Sequence, residues 1–244
     1  MDDQEKNIGL HYIKQTRFDR TTIQQMQQPE TVDVQPFKHY TGVDTISLPR
    51  KWDLSEARIT PLLQNRRSLR AYSSEKITLG ELAFMLWGSQ GITAQAGKYL
   101  FRTSPSGGAL YPIETYLSVH RVEDVEPGLY HFDPELFQLE RLTDHSIGDQ
   151  LVTGCLNQKF VAASSITFVW SAVFHRNLNK YGNRGMRYIL LDAGHICQNV
   201  LMAAEAVGCG GCPVAAFFDG ELNTLLDLDG EQESVLYLAS VGKK

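Results

Sequence analysis

The spacing of apolar residues predicts a series of helices and strands along most of the chain. In residues 187–207 apolar side chains recur every three to four positions, which predicts one long helix with an apolar face. Apolar and polar residues alternate in residues 113–120 and 129–132, as in strands with one buried face. A run of β-branched and aromatic residues at 166–173 predicts a buried strand, and residues 235–241 predict a closing strand.

Two shorter helices are indicated before these strands. Residues 61–65 fit the first. Thr78 and Glu81 have the spacing of a capping box, the apolar residues that follow continue a helical face, and Gly88 and Gly91 are expected to end that helix. Because strands are followed by long helices and the early links resemble hairpins, the pattern favours an α+β class over a repeated βαβ unit.

Residues 1–58 differ in character from the rest of the chain. They hold a glutamine-rich tract at 24–28, scattered prolines and few apolar clusters. Such a segment buries little apolar surface of its own. We therefore predict a partly irregular N-terminal arm or lid over residues 1–58, followed by one domain at 59–244.

Composition and charge narrow the classes of function. The 244 residues are 43% hydrophobic and 21% charged, with a formal net charge of −5. Proteins that bind a nucleic-acid backbone carry a basic face, so no nucleic acid is expected as a partner. No apolar run approaches the roughly 20 residues of a membrane helix, and the polar N-terminus does not resemble a secretory signal. The four cysteines fit a protein of the reducing cytoplasm.

The densest cationic stretch is residues 66–70, Arg-Arg-Ser-Leu-Arg. A guanidinium group is planar, permanently charged and a multiple donor, so it suits a phosphate or the polar edge of a fused ring. A basic cluster of this length also occurs as a plain solvated surface. A local basic site within an acidic protein indicates one small anionic ligand.

Two strips of small residues lie further along the chain, at 103–112 and 207–217. Glycines and serines in the first would let the backbone approach a flat ligand closely, although paired glycines are also common in turns. The second holds three glycines and a proline, more than a helix C-cap requires. Within it, Cys209 and Cys212 match a redox dithiol or half of a zinc site. No second cysteine or histidine pair has zinc-site spacing, so we expect no metal and interpret both cysteines as packing residues.

Four segments together resemble the FMN-dependent nitroreductase superfamily in their order and spacing: residues 66–72, 105–112, 187–195 and 207–217. More narrowly they resemble its SagB-type branch, which includes the azoline oxidases of thiazole and oxazole peptide biosynthesis. The resemblance covers residue 59 to the end. It implies a nitroreductase-like α+β fold, with a central, mostly antiparallel sheet flanked by helices, and a homodimer that holds FMN at its interface.

The resemblance also implies which residues contact FMN. Arg66 and Ser68 would contact the phosphate and the ribityl chain. Arg70 would face the pyrimidine end of the ring, where a cation stabilises the negative charge of the reduced flavin. The Ala215 amide would donate to N5, and Lys243 would contact the phosphate unless it lies in a frayed terminus. The full set of cofactor-binding candidates is Arg66, Arg67, Ser68, Arg70, Pro105, Ser106, Gly107, Pro213, Val214, Ala215, Ala216 and Lys243.

Two departures from the simple quinone reductases favour the SagB-type branch. Ala109 and Ala215 stand where many nitroreductases have an asparagine and a glutamate.

Residues 105–107 would line the ring from the partner chain. The N-terminal 58 residues would take over the wrapping that a C-terminal arm provides in relatives.

Lys180 and Tyr181 are the catalytic candidates. In azoline oxidases an adjacent lysine and tyrosine near this place are implicated in proton chemistry, and dehydrogenation of a thiazoline requires a base beside the flavin. A solvated loop lysine and a packing tyrosine explain the pair equally well. The resemblance thus predicts an FMN-dependent oxidoreductase with hydride transfer at flavin N5, acting on an azoline-containing peptide or small molecule.

Two alternatives stay open at this point. An NAD(P)H-dependent nitro or quinone reductase would use the same cofactor site, with NAD(P)H as a further partner. A non-catalytic flavin-binding subunit of a biosynthetic complex would bind FMN without turnover.

Overall fold

A computed structural model provides the fold of the chain and describes residues 7–20, 35–52, 57–97 and 99–244. Its strands are short, and several are buried along their whole length. They are β1 (Thr45–Ser47), β2 (Ile92–Ala96), β3 (Tyr99–Arg102), β4 (Ile113–Val119), β5 (Gly128–Asp133), β6 (Gln138–Arg141), β7 (Ile166–Val173), β8 (Cys209–Val214) and β9 (Glu233–Lys243).

Seven strands form one sheet in the order β1-β6-β5-β4-β7-β9-β8, and β2 pairs with β3 in a separate hairpin. Every pairing between neighbouring strands is antiparallel. In the pairing of β7 with β9, Ile166 lies opposite Val241 and Val173 opposite Glu233. β7 is paired on both sides and buried, which suits its β-branched and aromatic residues. The predicted central antiparallel sheet is confirmed.

Helices cover both faces of the sheet, as predicted. None of the described helices combines the length and the apolar character needed to cross a membrane. The helices are α1 (Ile8–Gln15), α2 (Ile59–Asn65), α3 (Leu79–Gln90), α4 (Gly148–Gly154), α5 (Phe160–Ala163), α6 (His175–Tyr181), α7 (Gly185–Ala206) and α8 (Asp219–Leu225).

Two apolar cores lie on opposite faces of the sheet. α3 and α7 cover one face, where Leu86 and Ile189 belong to the larger core. α4, α5 and α8 cover the other face, around Leu151 and Tyr116. Successive strand residues point to opposite faces, so Leu117 of β4 lies in the first core while Tyr116 lies in the second.

Local sequence signals place several elements correctly. The predicted strand at 166–173 is β7, and the predicted long helix at 187–207 is α7. The Thr78 hydroxyl accepts the Glu81 amide at 3.2 Å, and the Glu81 carboxylate accepts the Thr78 amide at 2.9 Å. The capping box that begins α3 is therefore confirmed.

Two local expectations are wrong. Gly88 does not end α3 but lies inside it, where a Cβ atom would lie 3.3 Å from the Cβ of Ala203 in α7. Its lack of a side chain lets the two helices approach closely, and Gly91 is the residue that ends α3. Lys180 and Tyr181 do not lie in a loop but form the last turn of α6.

Parts of the predicted N-terminal arm contact the body of the protein. β1 pairs with β6, and Leu48 is buried in the larger core. α1 lies near the start of α7, where Arg187 Nε donates to the Thr16 hydroxyl at 2.8 Å. The domain boundary at residue 58 stays a prediction, and the glutamine-rich tract at 24–28 lies outside the described residues.

Candidate cofactor and substrate site

The run 66–70 is held in an extended course along β8. The Leu69 amide donates to the Gly211 carbonyl at 3.0 Å, and Ser68 forms a parallel β-bridge with Gly211. The Tyr72 hydroxyl donates to the Leu69 carbonyl at 2.7 Å. These contacts join two of the four segments that carry the family resemblance, 66–72 and 207–217.

The three arginines of this run are exposed to different degrees. Arg67 and Arg70 are exposed and Arg66 is half-buried. Arg67 Nη1 folds back onto the carbonyls of Gln64 and Arg66, at 2.9 and 2.8 Å, and the Arg70 guanidinium lies 5.7 Å from the Phe160 ring centre. The ion pairs formed among the described residues include none of these guanidiniums. With the exposed Ser68 hydroxyl, this set of donors fits the phosphate of FMN.

The glycines of β8 leave room for close neighbours on the run and on β9. A Cβ atom at Gly210 would lie 2.8 Å from Leu69 Cδ2, and one at Gly211 would lie 2.7 Å from the Ser240 carbonyl. Both positions therefore favour glycine because the run and β9 approach so closely.

The end of β8 emerges at the surface beside the run. Val214 is buried and Pro213 is half-buried, whereas Ala215 and Ala216 are exposed. The Ala216 carbonyl accepts a hydrogen bond from Gln158 Nε2 at 3.0 Å. Backbone at Ala215 and Ala216 is thus accessible to a ligand.

Lys243 lies within β9, opposite Cys209, and not in a frayed terminus. Its amine pairs with Glu81 at 2.6 Å. Burial alone would lower the pKa of Lys243, but the hydrogen bond to Glu81 and the surrounding negative charge raise it above its usual value. The contact of Lys243 with a phosphate stays a prediction.

The loop 103–112 has an unusual backbone anchored to α7. Ala109 and Tyr111 have φ values of 55° and 45°, in the left-handed region that residues with side chains seldom adopt. The Ser106 hydroxyl donates to Asp192 Oδ2 at 2.6 Å and accepts the Tyr111 amide at 2.9 Å. Burial raises the pKa of Asp192, although the bond from Ser106 opposes this effect.

Glycines of this loop face aromatic side chains. A Cβ atom at Gly107 would lie 3.1 Å from the Cβ of Tyr188. One at Gly108 would collide with the Tyr181 hydroxyl and lie 2.9 Å from the Lys180 amine. Pro105, just before them, is exposed.

Lys180 and Tyr181 therefore face the same loop within one chain. Lys180 is exposed, and its amine lies 5.3 Å from the Tyr181 ring centre. The Tyr181 ring is half-buried and packs edge-on against Tyr188 at 4.8 Å. This arrangement brings an amine and a phenol to an accessible backbone edge at Gly108.

The predicted residues thus form two groups in a single chain. Arg66, Ser68 and Arg70 lie with the β8 segment, whereas the Ser106 loop lies with Lys180 and Tyr181 on α6. Among the described residues, no hydrogen bond or ion pair joins the two groups.

A buried row of charged residues, which was not expected from the sequence, lies behind the loop. Arg176 of α6 donates to Glu114, Glu114 accepts from His131 at 3.0 Å, and the other ring nitrogen of His131 meets Glu140 at 2.8 Å. All four residues are at most 6% exposed. Charged residues at inward positions of otherwise apolar strands are a sequence signal that could have revealed this row.

The residues of this buried row shift one another's pKa. Burial raises the pKa of Glu114, but the charges of Arg176 and His131 more than offset it and lower that pKa to about 2. Burial lowers the pKa of His131, but its bonds to Glu114 and Glu140 raise it above the usual value. The structure therefore favours an imidazolium between two carboxylates.

The cysteines are free and buried in the structure. Burial raises the pKa of Cys209 to about 12, which disfavours the thiolate needed for redox or metal chemistry.

One group of potential metal ligands, not expected from the sequence, consists of His39, Asp133 and Glu140, whose donor atoms lie within 4.8 Å of one another. The His39 imidazole also hydrogen-bonds Asp133 at 3.1 Å and lies 3.2 Å from Glu135. These contacts explain the group as hydrogen-bonding neighbours assembled by the fold.

Comparison with known proteins relates this geometry to a family. The model of the Nitroreductase family matches residues 63–243. The chain is 38% identical over 199 residues to MJ1384, a provisionally named nitroreductase of Methanocaldococcus jannaschii, covering 82% of this chain and 96% of that protein. It is 30% identical over 135 residues to the Microcin B17-processing protein McbC of Escherichia coli, covering 52% of this chain and 49% of McbC.

A solved structure agrees with this assignment. The crystal structure of a provisionally named nitroreductase from Anabaena variabilis matches with a TM-score of 0.77 at 25% identity, covering 96% of this chain and 46% of that one. The chain thus spans less than half of the Anabaena protein and about half of McbC. Because the family model covers most of the chain and MJ1384 is matched over nearly its whole length, this chain belongs to the nitroreductase family.

Proposed function

We propose that this protein is an FMN-dependent oxidoreductase that works as a homodimer. The observation that carries the proposal is the run 66–70, whose arginines are exposed or half-buried beside β8 and have no carboxylate partner in the described structure. A doubly charged phosphate matches such a set of donors. Membership of the nitroreductase family supports FMN as the molecule that carries this phosphate.

One side of the FMN would be held by the chain segment that carries these arginines. Arg66 and Ser68 would bind the phosphate and the ribityl chain, with Arg67 alongside, and Arg70 would face the pyrimidine end. The exposed backbone at Ala215 and Ala216, after Pro213 and Val214, would run along the ring. Lys243 would add a second, weaker phosphate contact.

The other side would come from the partner chain. Pro105, Ser106 and Gly107 belong to a group that has no described hydrogen bond to the run within one chain, so a second copy is the natural source of those contacts. Apolar side chains on α2 and α7 support association, because Ile59, Leu63, Leu190 and Leu191 are each more than half exposed. A dimer would cover this surface.

Lys180 or Tyr181 would act as the base that accepts the proton lost by the substrate. FMN, when bound, supplies a hydride acceptor at its N5 atom. Oxidation of a thiazoline to a thiazole removes one hydride and one proton from adjacent ring atoms, and a double bond forms between them. Lys180 as its neutral amine, or Tyr181 as its phenolate, would accept that proton, since both side chains lie at Gly108.

For the substrate, we assign the protein to the SagB-type branch, acting on an azoline-containing peptide or small molecule. Similarity to McbC, a microcin B17-processing protein, supports a peptide substrate. Ala109 and Ala215 also fit this branch. A cytoplasmic location stays a prediction.

A second candidate is an NAD(P)H-dependent nitro or quinone reductase. The higher identity to MJ1384, which is provisionally named a nitroreductase, favours it. Both candidates use the same FMN site and differ in the need for a base.

The test is anaerobic reduction of the purified yellow protein, followed by its visible absorbance. We expect a synthetic thiazoline carboxamide to bleach the flavin and to yield the thiazole. Lys180→Ala combined with Tyr181→Phe should slow bleaching by about 100-fold or more, because general-base catalysis is lost. Lys51→Ala, at an exposed lysine after β1, is the matched control and should leave the rate unchanged.

Other outcomes separate the alternatives. Bleaching by NADPH but not by the thiazoline would favour the reductase. Bleaching by neither would indicate a non-catalytic flavin-binding subunit. A colourless protein that takes up no added FMN would overturn the proposal as a whole.

A further inference from the structure

We propose that Arg176 is a positioning residue that holds Lys180 and Tyr181 against the loop at Gly108. It does so by tying α6 to this loop, to the central sheet and to the N-terminal segment. The inference rests on the proposed function, because it assigns a purpose to the placement of the proposed base.

Arg176 contacts three separate segments of the chain. Its Nη1 donates to the Glu114 carboxylate of β4 and, at 3.2 Å, to the Tyr111 carbonyl in the loop. Its Nε donates to the Gln35 carbonyl at 3.0 Å. Two different nitrogens of the rigid guanidinium serve these acceptors, whereas lysine offers a single nitrogen on a flexible stem, so lysine is not an equivalent residue here.

α6 depends on such contacts for its position. It has seven residues, begins without a side-chain cap and ends at Gly182, whose φ is 53°. A helix this short is unstable without tertiary contacts. Arg176 lies four residues before Lys180, one helical turn away, so the anchor is close to the amine that it would position.

The loop depends on the same anchor. Tyr111 has a φ of 45°, a conformation that persists in a bulky residue only when its surroundings hold it. Its carbonyl accepts from Arg176, its amide donates to Ser106, and its hydroxyl accepts the Arg102 amide at 3.0 Å. The Arg176 guanidinium therefore connects the loop backbone after Gly108 with α6, the helix that carries Tyr181.

The partner of Arg176 is itself fixed. Glu114 is 3% exposed and accepts from His131, whose other nitrogen meets Glu140. A buried partner held from behind keeps the guanidinium in one place, as the supporting residues of well-ordered sites do. The buried row of charged residues thus has a positioning role that is distinct from the role of the apolar cores.

The first experiment measures position without measuring activity. In Arg176→Lys, we expect the amides of residues 178–181 to exchange with deuterium about tenfold faster or more, while exchange in β7 stays unchanged. Arg121→Lys is the matched control, since Arg121 donates to the Ala163 and Ser73 carbonyls, outside α6. Exchange that stays unchanged in α6, or rises equally in β7, would overturn the proposal.

The second experiment asks whether Arg176 acts through the Lys180–Tyr181 pair. In Arg176→Lys, we expect FMN content to be retained, kcat for the thiazoline carboxamide to fall about 10- to 100-fold, and KM to change little. In a protein that already carries Lys180→Ala and Tyr181→Phe, the same substitution should have almost no further effect. A loss of equal size in both backgrounds would overturn the proposal.

The two proposals fail in different ways. If the Lys180 and Tyr181 substitutions leave thiazoline oxidation unchanged, the proposed base is wrong, whatever the exchange data show. If Arg176→Lys does not fold, the pair Arg176→Gln with Glu114→Gln removes both buried charges together and permits the same exchange measurement. Local exchange at α6 then still decides for or against Arg176.

Discussion

This chain places the same side chain in two contrasting environments. Arg66, Arg67 and Arg70 lie at the surface beside β8, and no described carboxylate pairs with them. Arg102 and Arg176 are 7% and 6% exposed. Arg176 pairs with Glu114, and Arg102 donates to Gln90 from Nη1 while its buried Nε has no described partner. The surface guanidiniums keep their capacity for a ligand, whereas the buried ones have already used it to hold the fold together.

Desolvation explains the difference. A buried charge costs several kcal/mol unless a partner compensates for it. Arg176 is compensated by Glu114, while Arg102 donates to Gln90 at 2.6 Å and lies between the rings of Phe37 and Tyr111. Burial lowers the pKa of Arg102 to about 10. Removal of a partner should therefore lower the free energy of unfolding far more at a buried arginine than at a surface arginine.

The largest effect is expected at Glu114. Glu114→Ala removes the carboxylate partner of Arg176 and one of the two carboxylates beside His131, all in a buried place. The free energy of unfolding should therefore fall by about 3–5 kcal/mol. Denaturant unfolding of the variant measures this change. Glu123→Ala, at an exposed carboxylate after β4, should change it by less than about 0.5 kcal/mol. A loss below about 1 kcal/mol at Glu114 would erase the contrast between the two environments.

A somewhat smaller effect is expected from acid. The pKa of Glu114 is about 2 in the folded protein, below its ordinary 4.5, so its stabilising effect is present above pH 4.5 and is lost as the pH falls towards 2. This loss amounts to about 3 kcal/mol. The pKa of His131 is raised above 6.5, so its contribution is complete below pH 6.5 and is lost at higher pH.

Unfolding free energies measured across this acid range check the prediction. The wild-type slope between pH 4.5 and 2 should be much reduced in Glu114→Gln and retained in Glu123→Gln. An unchanged slope in Glu114→Gln would assign the acid sensitivity to other carboxyl groups.

The smallest effect on stability, but a clear one on binding, is expected in the run. Arg66→Gln should leave the melting temperature of the FMN-free protein unchanged and raise the Kd for FMN about tenfold or more, because a charge-assisted hydrogen bond is lost. Arg67→Gln should raise it less, since its Nη1 already donates to two backbone carbonyls. Titration with FMN, followed by quenching of its fluorescence, compares the two. Equal Kd values for both variants would contradict this division of roles.

Local chemistry made much of the fold predictable. The capping box at Thr78 and Glu81, the buried run of β7 and the apolar face of α7 each arise from residues close in sequence, so their pattern indicates the element directly. β8 was not predicted as a strand, because glycines and a proline disfavour strands. It forms one because it pairs with β9, and its glycines leave room for the Leu69 side chain and the Ser240 carbonyl.

The sequence by itself determined the fold class, the order of the main elements and the segments that could meet a phosphate. It could not determine which cations are free. Arg176 and Glu114 are 62 residues apart, and His131 joins them from a neighbouring strand. Only the tertiary structure decided that this arginine is paired while Arg66 has no described carboxylate partner, because burial and pairing depend on contacts between distant residues that leave no periodic trace in the sequence.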